Sequence, residues 1–205
     1  MSVGRIKELD PRRYRSMAAG LRSEHGAVFV EFLIVFMPVL TFFLCLLQLA
    51  LLYMTRLVAE HAAVNAARAA AVVIGDEPKR YSNEPINQLR IGGARYKAIR
   101  DAALISIMPL ILDGTVDDLK VLFPAPDKPD GPARSGTQSY TPMDMANVSK
   151  VRVRIELQVN CKIGLANRIL CRTGLLSGVL TLHPTKRVRA EAIYPYQGAR
   201  YDFPP

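Results

Sequence analysis

The sequence predicts an α+β protein, in which a long N-terminal helix crosses a membrane and continues into a small domain. Three observations predict this fold. Residues 32–55 form an uncharged apolar run, and residues 151–163 alternate between apolar and polar side chains. The length of 205 residues suits one domain with an anchor. We expect the domain to contain a second helix and a small antiparallel sheet.

The apolar run is long enough to span a bilayer. Its 24 residues would form a helix of about 36 Å, against a hydrocarbon core of about 30 Å. It is also longer than the roughly 7–15 apolar residues of a removable secretory signal. We therefore predict a transmembrane helix over residues 27–55 and its continuation outside the membrane over residues 56–75.

Charges before the run predict its orientation. Residues 1–26 contain six basic and three acidic side chains, and an excess of Lys and Arg holds a flank in the cytoplasm. The leader 1–26 should thus be cytoplasmic, and the domain 76–205 should lie across the membrane. A basic tail for nucleic acid would not explain why the charges precede an apolar span.

One acid stands at the start of the run. Glu31 follows Gly26 by five residues, and a carboxylate in the membrane is costly. If the chain were cut after Gly26, the new α-amine of Ala27 would lie one helical turn from Glu31, on the same helical face. The two charges could then neutralise each other, within one chain or between neighbours.

Small and polar residues share one heptad stripe of the helix. Such a stripe marks close helix–helix contact in membranes. Pro38, which removes a backbone donor, predicts a kink within it. The predicted helix-packing positions are Pro38, Thr41, Cys45, Gln48, Thr55, Ala59, Ala62, Ala66 and Ala69.

The leader, Gly26, Ala27 and Glu31 together resemble the class III signal of type IV pilin-like proteins. The segments HAAVNAARAAAVVIG (61–75) and RVRAEAIYPYQGARY (187–201) resemble TadE-like pseudopilins of the tight-adherence (Tad) pilus. This resemblance implies a pilin-like fold, cleavage between Gly26 and Ala27 by a prepilin peptidase, and a bacterial inner-membrane protein with a periplasmic domain. It also implies partners among other pseudopilins and the pilus assembly platform, with a role in pilus assembly or secretion.

Beyond the long helix, the pattern predicts further elements of the domain. The helix should end near Ile74, before Gly75 and Pro78. A second helix is predicted over residues 87–108, ended by Pro109, and a Pro-rich loop over residues 124–147. Residues 151–163 and 186–194 should be two strands that pack on the long helix.

Two features of the sheet region bear on function. Arg152, Arg154, Arg187 and Arg189 should share its outer face, but no aromatic residues interleave them, so we expect a solvated face and no nucleic acid partner. Cys161 and Cys171 should form a disulfide outside the cytoplasm. Their spacing does not suit a metal site.

The sequence offers no catalytic constellation, phosphate-binding loop or cofactor motif. We therefore predict a protein that is not an enzyme and that carries no cofactor or metal. The alternative is a permanently anchored periplasmic module that binds a polymer or nucleic acid. An anchored enzyme is a further alternative, for which the sequence shows no catalytic groups.

Overall fold

The computed structural model describes residues 24–125, 131–144, 149–171 and 185–198. It contains three α-helices, one 3₁₀-helix and five strands within those ranges. Residues 1–23, which form most of the predicted leader, lie outside the described residues. Parts of the Pro-rich loop and the residues from position 199 onward also lie outside them. In chain order the elements are α1 (Glu24–Val73), the 3₁₀-helix (Pro78–Tyr81), β1 (Gln88–Arg90), α2 (Ala94–Leu112), β2 (Val116–Leu122), β3 (Thr137–Ser139), β4 (Lys150–Asn160), α3 (Gly164–Leu170) and β5 (Thr185–Pro195).

Helix α1 is continuous over 50 residues and passes through Pro38. In the part of the chain that the structure describes, it is the one helix long and apolar enough to cross a membrane. Its most apolar window contains no buried residue, and side chains such as Ile34 and Phe42 are 68% and 65% exposed. The core helix of a soluble domain would have these side chains covered. The exposed apolar surface is what a membrane-spanning helix presents to lipid.

The chain divides after Leu44 into two compact units. The first, as far as it is described, is the N-terminal part of α1. The second unit contains the rest of α1 and an α+β domain, as the sequence predicts. Its main sheet has three strands in the order β2-β4-β5, and both pairings are antiparallel.

The central strand β4 carries the predicted alternation but ends at Asn160 instead of residue 163, because the chain then turns into helix α3 at Gly164. Val151, Val153, Ile155, Leu157 and Val159 are at most 1% exposed. Each faces a residue of β5 at the same level, from Tyr194 opposite Val151 to Lys186 opposite Val159. One face of the sheet is therefore apolar and contributes to the core.

The C-terminal part of α1 supplies the other side of the core through small residues. Six alanines there have no exposed surface. Because alanine has no side chain beyond Cβ, each of them is covered by the larger apolar side chains of the surrounding core. The six are Ala59, Ala62, Ala63, Ala66, Ala67 and Ala70.

The second helix differs from the prediction at both ends. It begins at Ala94 instead of residue 87, because Gln88–Arg90 form a short strand that pairs with β3. It also does not end before Pro109 but continues to Leu112. Only one turn remains after Pro109, so the proline removes one backbone hydrogen bond close to the helix end, where the cost is small.

The Pro-rich loop contains one element that the sequence analysis did not predict. Its strand β3 pairs with β1 in a two-stranded antiparallel sheet. The neighbouring Tyr140 packs edge-on against Tyr196, with ring centroids 5.7 Å apart. The Tyr196 hydroxyl donates to the side-chain oxygen of Asn87, and the Tyr140 hydroxyl donates to Gln138 Oε1 at 3.0 Å. The loop is thus tied to the end of β5.

Close packing on the alanine face leads to a first prediction. Ala66→Leu should lower the free energy of unfolding by about 1–3 kcal/mol, because extra methyl groups would force the packed elements apart. The control is Val72→Leu, since Val72 is 68% exposed. Chemical unfolding of the full chain in detergent micelles measures both. Equal stability of the two variants would contradict the packing described here.

The tyrosine pair leads to a second prediction. Burial raises the pKa of Tyr140 and of Tyr196 from the ordinary value of 10.0 to about 12. At pH values between about 10 and 12, Tyr140 and Tyr196 lose their phenolic protons in the unfolded chain and keep them in the folded chain. The free energy of unfolding should therefore fall as pH rises from about 10 to 12, by at most roughly 1.4 kcal/mol per pH unit and tyrosine.

Unfolding of the full chain in detergent across this pH range measures that slope. Tyr196→Phe should make it shallower, because one of the two late-titrating groups is removed. Tyr194→Phe, a control at the more exposed neighbouring tyrosine, should leave it nearly unchanged. An identical slope in wild type and Tyr196→Phe would show that Tyr196 does not contribute.

Candidate assembly and processing site

The predicted processing site lies in the first turn of α1. The helix begins at Glu24, so Gly26 and Ala27 are its third and fourth residues. Backbone N–H groups in a first helical turn have no acceptor within the helix, and Gly26 is a weak helix former. The bond between these residues is therefore in the part of α1 that unwinds at the lowest cost.

Glu31 lies in α1 on an exposed position. Among the described residues it makes no ion pair or hydrogen bond with another side chain. Its neighbours Val30, Phe32 and Ile34 are 56%, 57% and 68% exposed. The acid is thus surrounded by apolar side chains that the rest of the described chain does not cover.

The predicted helix-packing stripe has two parts that differ in burial. Pro38 is exposed, and Thr41 and Cys45 are half-buried. The later positions are covered by this chain's own domain. Ala69 is half-buried, and the others are at most 1% exposed: Gln48, Thr55, Ala59, Ala62 and Ala66. The part available to another helix is therefore limited to the first three positions.

The two threonines and the glutamine of the stripe each make a hydrogen bond to the backbone within the chain. Thr41 Oγ1 donates to the Met37 carbonyl at 2.8 Å, and Thr55 Oγ1 donates to the Leu51 carbonyl at 2.9 Å. Gln48 Oε1 accepts the backbone N–H of Ile163 at 3.1 Å. Gln48 thereby attaches the segment before α3 to the long helix, inside the range 27–55 predicted to span the membrane.

Cys161 and Cys171 are joined by a disulfide, with Cα atoms 6.5 Å apart. They flank α3 and the Ile163 amide that binds Gln48. The bond closes a short loop and holds α3 at this level of α1. Cys45 is the free cysteine among the described residues.

A buried arginine at the end of α1 was not predicted from the sequence. Arg95 has no exposed surface, and its guanidinium donates to the Val73, Asp76 and Glu84 carbonyls. Its charged group also lies 4.8 Å from the ring centroid of Tyr81. Burial lowers the pKa of Arg95, and the nearby Glu84 partly offsets this.

Glu84 connects the same cluster to α2. Its carboxylate accepts the backbone N–H groups of Ala94 at 2.7 Å and Arg95 at 3.3 Å, which caps the helix N-terminus. A Cβ at Gly93 would overlap this carboxylate, so a larger residue there would displace the cap. A basic residue in a first helical turn is unfavourable for the helix dipole. This anomaly identifies Arg95 only once the helix start at Ala94 is known, since the predicted start at residue 87 places Arg95 beyond the first turn.

Residues 26–68 match the family model of TadE-like proteins. This segment is TadE-like. The resemblance predicted from the sequence is thus confirmed over residues 26–68, and the family is one of pilus components, not of enzymes. No curated protein and no solved structure is significantly similar to the chain. The matched segment contains Gly26, Ala27 and Glu31.

The described residues contain no group of three or more His, Cys, Asp or Glu side chains arranged to bind a metal ion. The arginines predicted to share a solvated outer sheet face are partly covered, since Arg154 is only 7% exposed, and most of them are paired. Arg152 and Arg154 both bind the carboxylate of Glu191, and Arg189 Nε lies 2.9 Å from Glu156 Oε1. These carboxylates reduce the positive charge that the face presents to an anionic polymer.

The Arg95 cluster leads to a third prediction. Arg95→Met should lower the free energy of unfolding by about 3 kcal/mol, because several buried carbonyl groups would lose their donor. Arg100→Met, at an exposed position of the same helix, should change it by less than about 0.5 kcal/mol. Unfolding of both full-length variants in detergent measures the difference. A small effect of Arg95→Met would mean that water replaces the guanidinium.

Proposed function

We propose that the protein is a TadE-like pseudopilin that a prepilin peptidase cleaves between Gly26 and Ala27 and that takes part in Tad pilus assembly. Its N-terminus is cytoplasmic, α1 spans the inner membrane, and the α+β domain is periplasmic. The protein is not an enzyme. The observation that carries the proposal is the TadE-like match, which covers the predicted cleavage site and the exposed apolar part of α1.

The position of Glu31 supports a role in association. An uncompensated carboxylate among lipid-facing side chains costs up to about 2.5–3.5 kcal/mol. After cleavage, the α-amine of Ala27 is a cation that lies at about the same depth in the membrane as Glu31. On a neighbouring pseudopilin this amine would neutralise Glu31 and thereby favour side-by-side packing of the two helices.

The burial of the stripe supports contact through the N-terminal half of α1. Pro38, Thr41 and Cys45 are small or polar and are not fully covered by the chain itself. The positions from Gln48 to Ala66 already pack within the domain. A partner helix would therefore contact α1 near Glu31 and along the three uncovered positions.

The anchored binding module remains the alternative function. It predicts a strongly basic, unpaired sheet face, whereas Arg152, Arg154 and Arg189 are bound to Glu191 and Glu156. It also provides no reason for an acid in the apolar run. For these two reasons the pseudopilin is the better proposal.

Intact mass of the chain tests the processing step, our fourth prediction. Co-expression with the prepilin peptidase of its own pilus system should yield a form that lacks residues 1–26. Gly26→Val should remain full-length, while Gly20→Val, at the other nearby glycine of the leader, should be cleaved as the wild type is. A wild-type chain that keeps its leader under these conditions would support the permanent anchor.

Glu31→Gln tests the assembly step in the same cells. The variant should insert and be cleaved, but its co-purification with other pseudopilins should fall at least about tenfold, because the ammonium of the neighbour is left unpaired. Glu31→Asp should restore part of the association, and Glu60→Gln, at an exposed acid outside the apolar run, should have no effect. Normal association of Glu31→Gln would refute the electrostatic role.

A further inference from the structure

A groove with an apolar wall and a basic rim lies between α1 and the start of β5. Its volume is about 770 Å³, within the range of about 300–1,000 Å³ that is typical of ligand sites. We call it the basic groove. Among the residues that line it are Leu46, Leu49, Tyr53, Arg56, Lys186 and Arg187.

The apolar wall of the basic groove continues the apolar surface of the spanning helix. Leu46, Leu49 and Tyr53 belong to the uncharged run, and they are 47%, 54% and 61% exposed. On another side of α1, Gln48 is already buried by the domain. The helix is therefore covered on one side and open on the other at this level.

The basic rim has an excess of positive charge. Arg56 is paired with Glu60 at 3.0 Å and Arg189 with Glu156 at 2.9 Å. Lys186 and Arg187 are exposed and make no ion pair with any described residue. Both also line a second depression of about 560 Å³, together with Gln158, Thr185 and Arg189. Two uncompensated cations thus stand beside an apolar surface.

We propose that the basic groove binds an anionic phospholipid of the outer leaflet of the membrane. Its acyl chains lie against Leu46, Leu49 and Tyr53, and its phosphate binds Lys186 and Arg187. This occupant matches both halves of the lining, since a lipid is apolar along the spanning helix and negatively charged at the surface. The proposal rests on the membrane insertion of α1 in the proposed function, but not on cleavage or pilus assembly.

Such a lipid would add a second attachment of the domain to the membrane. Among the described residues, the domain is otherwise connected to the bilayer through α1. The groove is formed by α1 and β5 together, so a bound lipid would contact both elements. It would thereby attach the edge strand β5 to the membrane surface as well as to α1.

The absence of tryptophan from the sequence permits a direct test. Tyr53→Trp places a single fluorescent reporter in the wall of the groove. The full chain is reconstituted in nanodiscs that contain equal amounts of phosphatidylcholine and phosphatidylglycerol, with bromine on only one of the two lipids. Bromine quenches tryptophan at contact, so the ratio of the two quenching efficiencies reports which lipid occupies the groove.

Brominated phosphatidylglycerol should quench more than brominated phosphatidylcholine. Adding Lys186→Glu and Arg187→Glu should reduce this preference by roughly fivefold for each cation. The control is Lys97→Glu with Arg100→Glu, which changes the net charge equally at exposed positions of α2. These lie near Arg95, which contacts the end of α1 at Val73, far along the helix from Tyr53.

Three outcomes would overturn the proposal. Equal quenching by the two lipids would show that the groove does not select an anionic lipid, as expected if protein fills it. An unchanged preference in the Lys186 and Arg187 variant would remove the basic rim from recognition. An equal loss in the Lys97 and Arg100 control would indicate a general effect of net charge. The nanodiscs contain no other pilus protein, so a failure of cleavage or assembly does not affect the result.

Discussion

The burial of the alanine face of α1 in the core of the domain is the constraint on which the rest of the structure depends. Since those alanines are fully buried, the sheet and α2 have a continuous surface against which to place their apolar side chains. Gln48 at the beginning of this contact and Arg95 at its end add polar bonds to the backbone of facing segments. The helix thus acts as the central core element of its own domain.

The same sequence pattern has two different uses along one helix. A stripe of small and polar residues predicts close packing, and the structure shows such packing from Gln48 to Ala66. The heptad spacing is identical whether the partner is another molecule or a later part of the same chain. The sequence alone could therefore predict that this face packs against a partner. It could not predict whether the partner is another molecule or a later part of the same chain.

The other elements show which parts of the fold a local sequence pattern can predict. β4 and β5 were predictable because their alternation is unbroken, and α1 because its apolar run is long. β2 was missed because an extra residue between Val116 and Asp118 shifts its register against β4, which places Val116 and Leu119 on the same face and hides the period of two. Arg95 was missed because its acceptors, Val73 and Asp76, are about twenty residues away in the sequence.

The two halves of α1 differ in how much of their surface is buried, and each half therefore has a different role. From Gln48 onward, one face of the helix is occupied by the domain, while a groove remains open toward Leu49 and Tyr53. Before Cys45, the described side chains are mostly exposed, and they include the acid at position 31. An interaction with another helix requires an uncovered surface, and a charge in an apolar environment requires a partner of opposite sign. Both requirements fall on the same half of α1, so association is expected there while the other half maintains the domain.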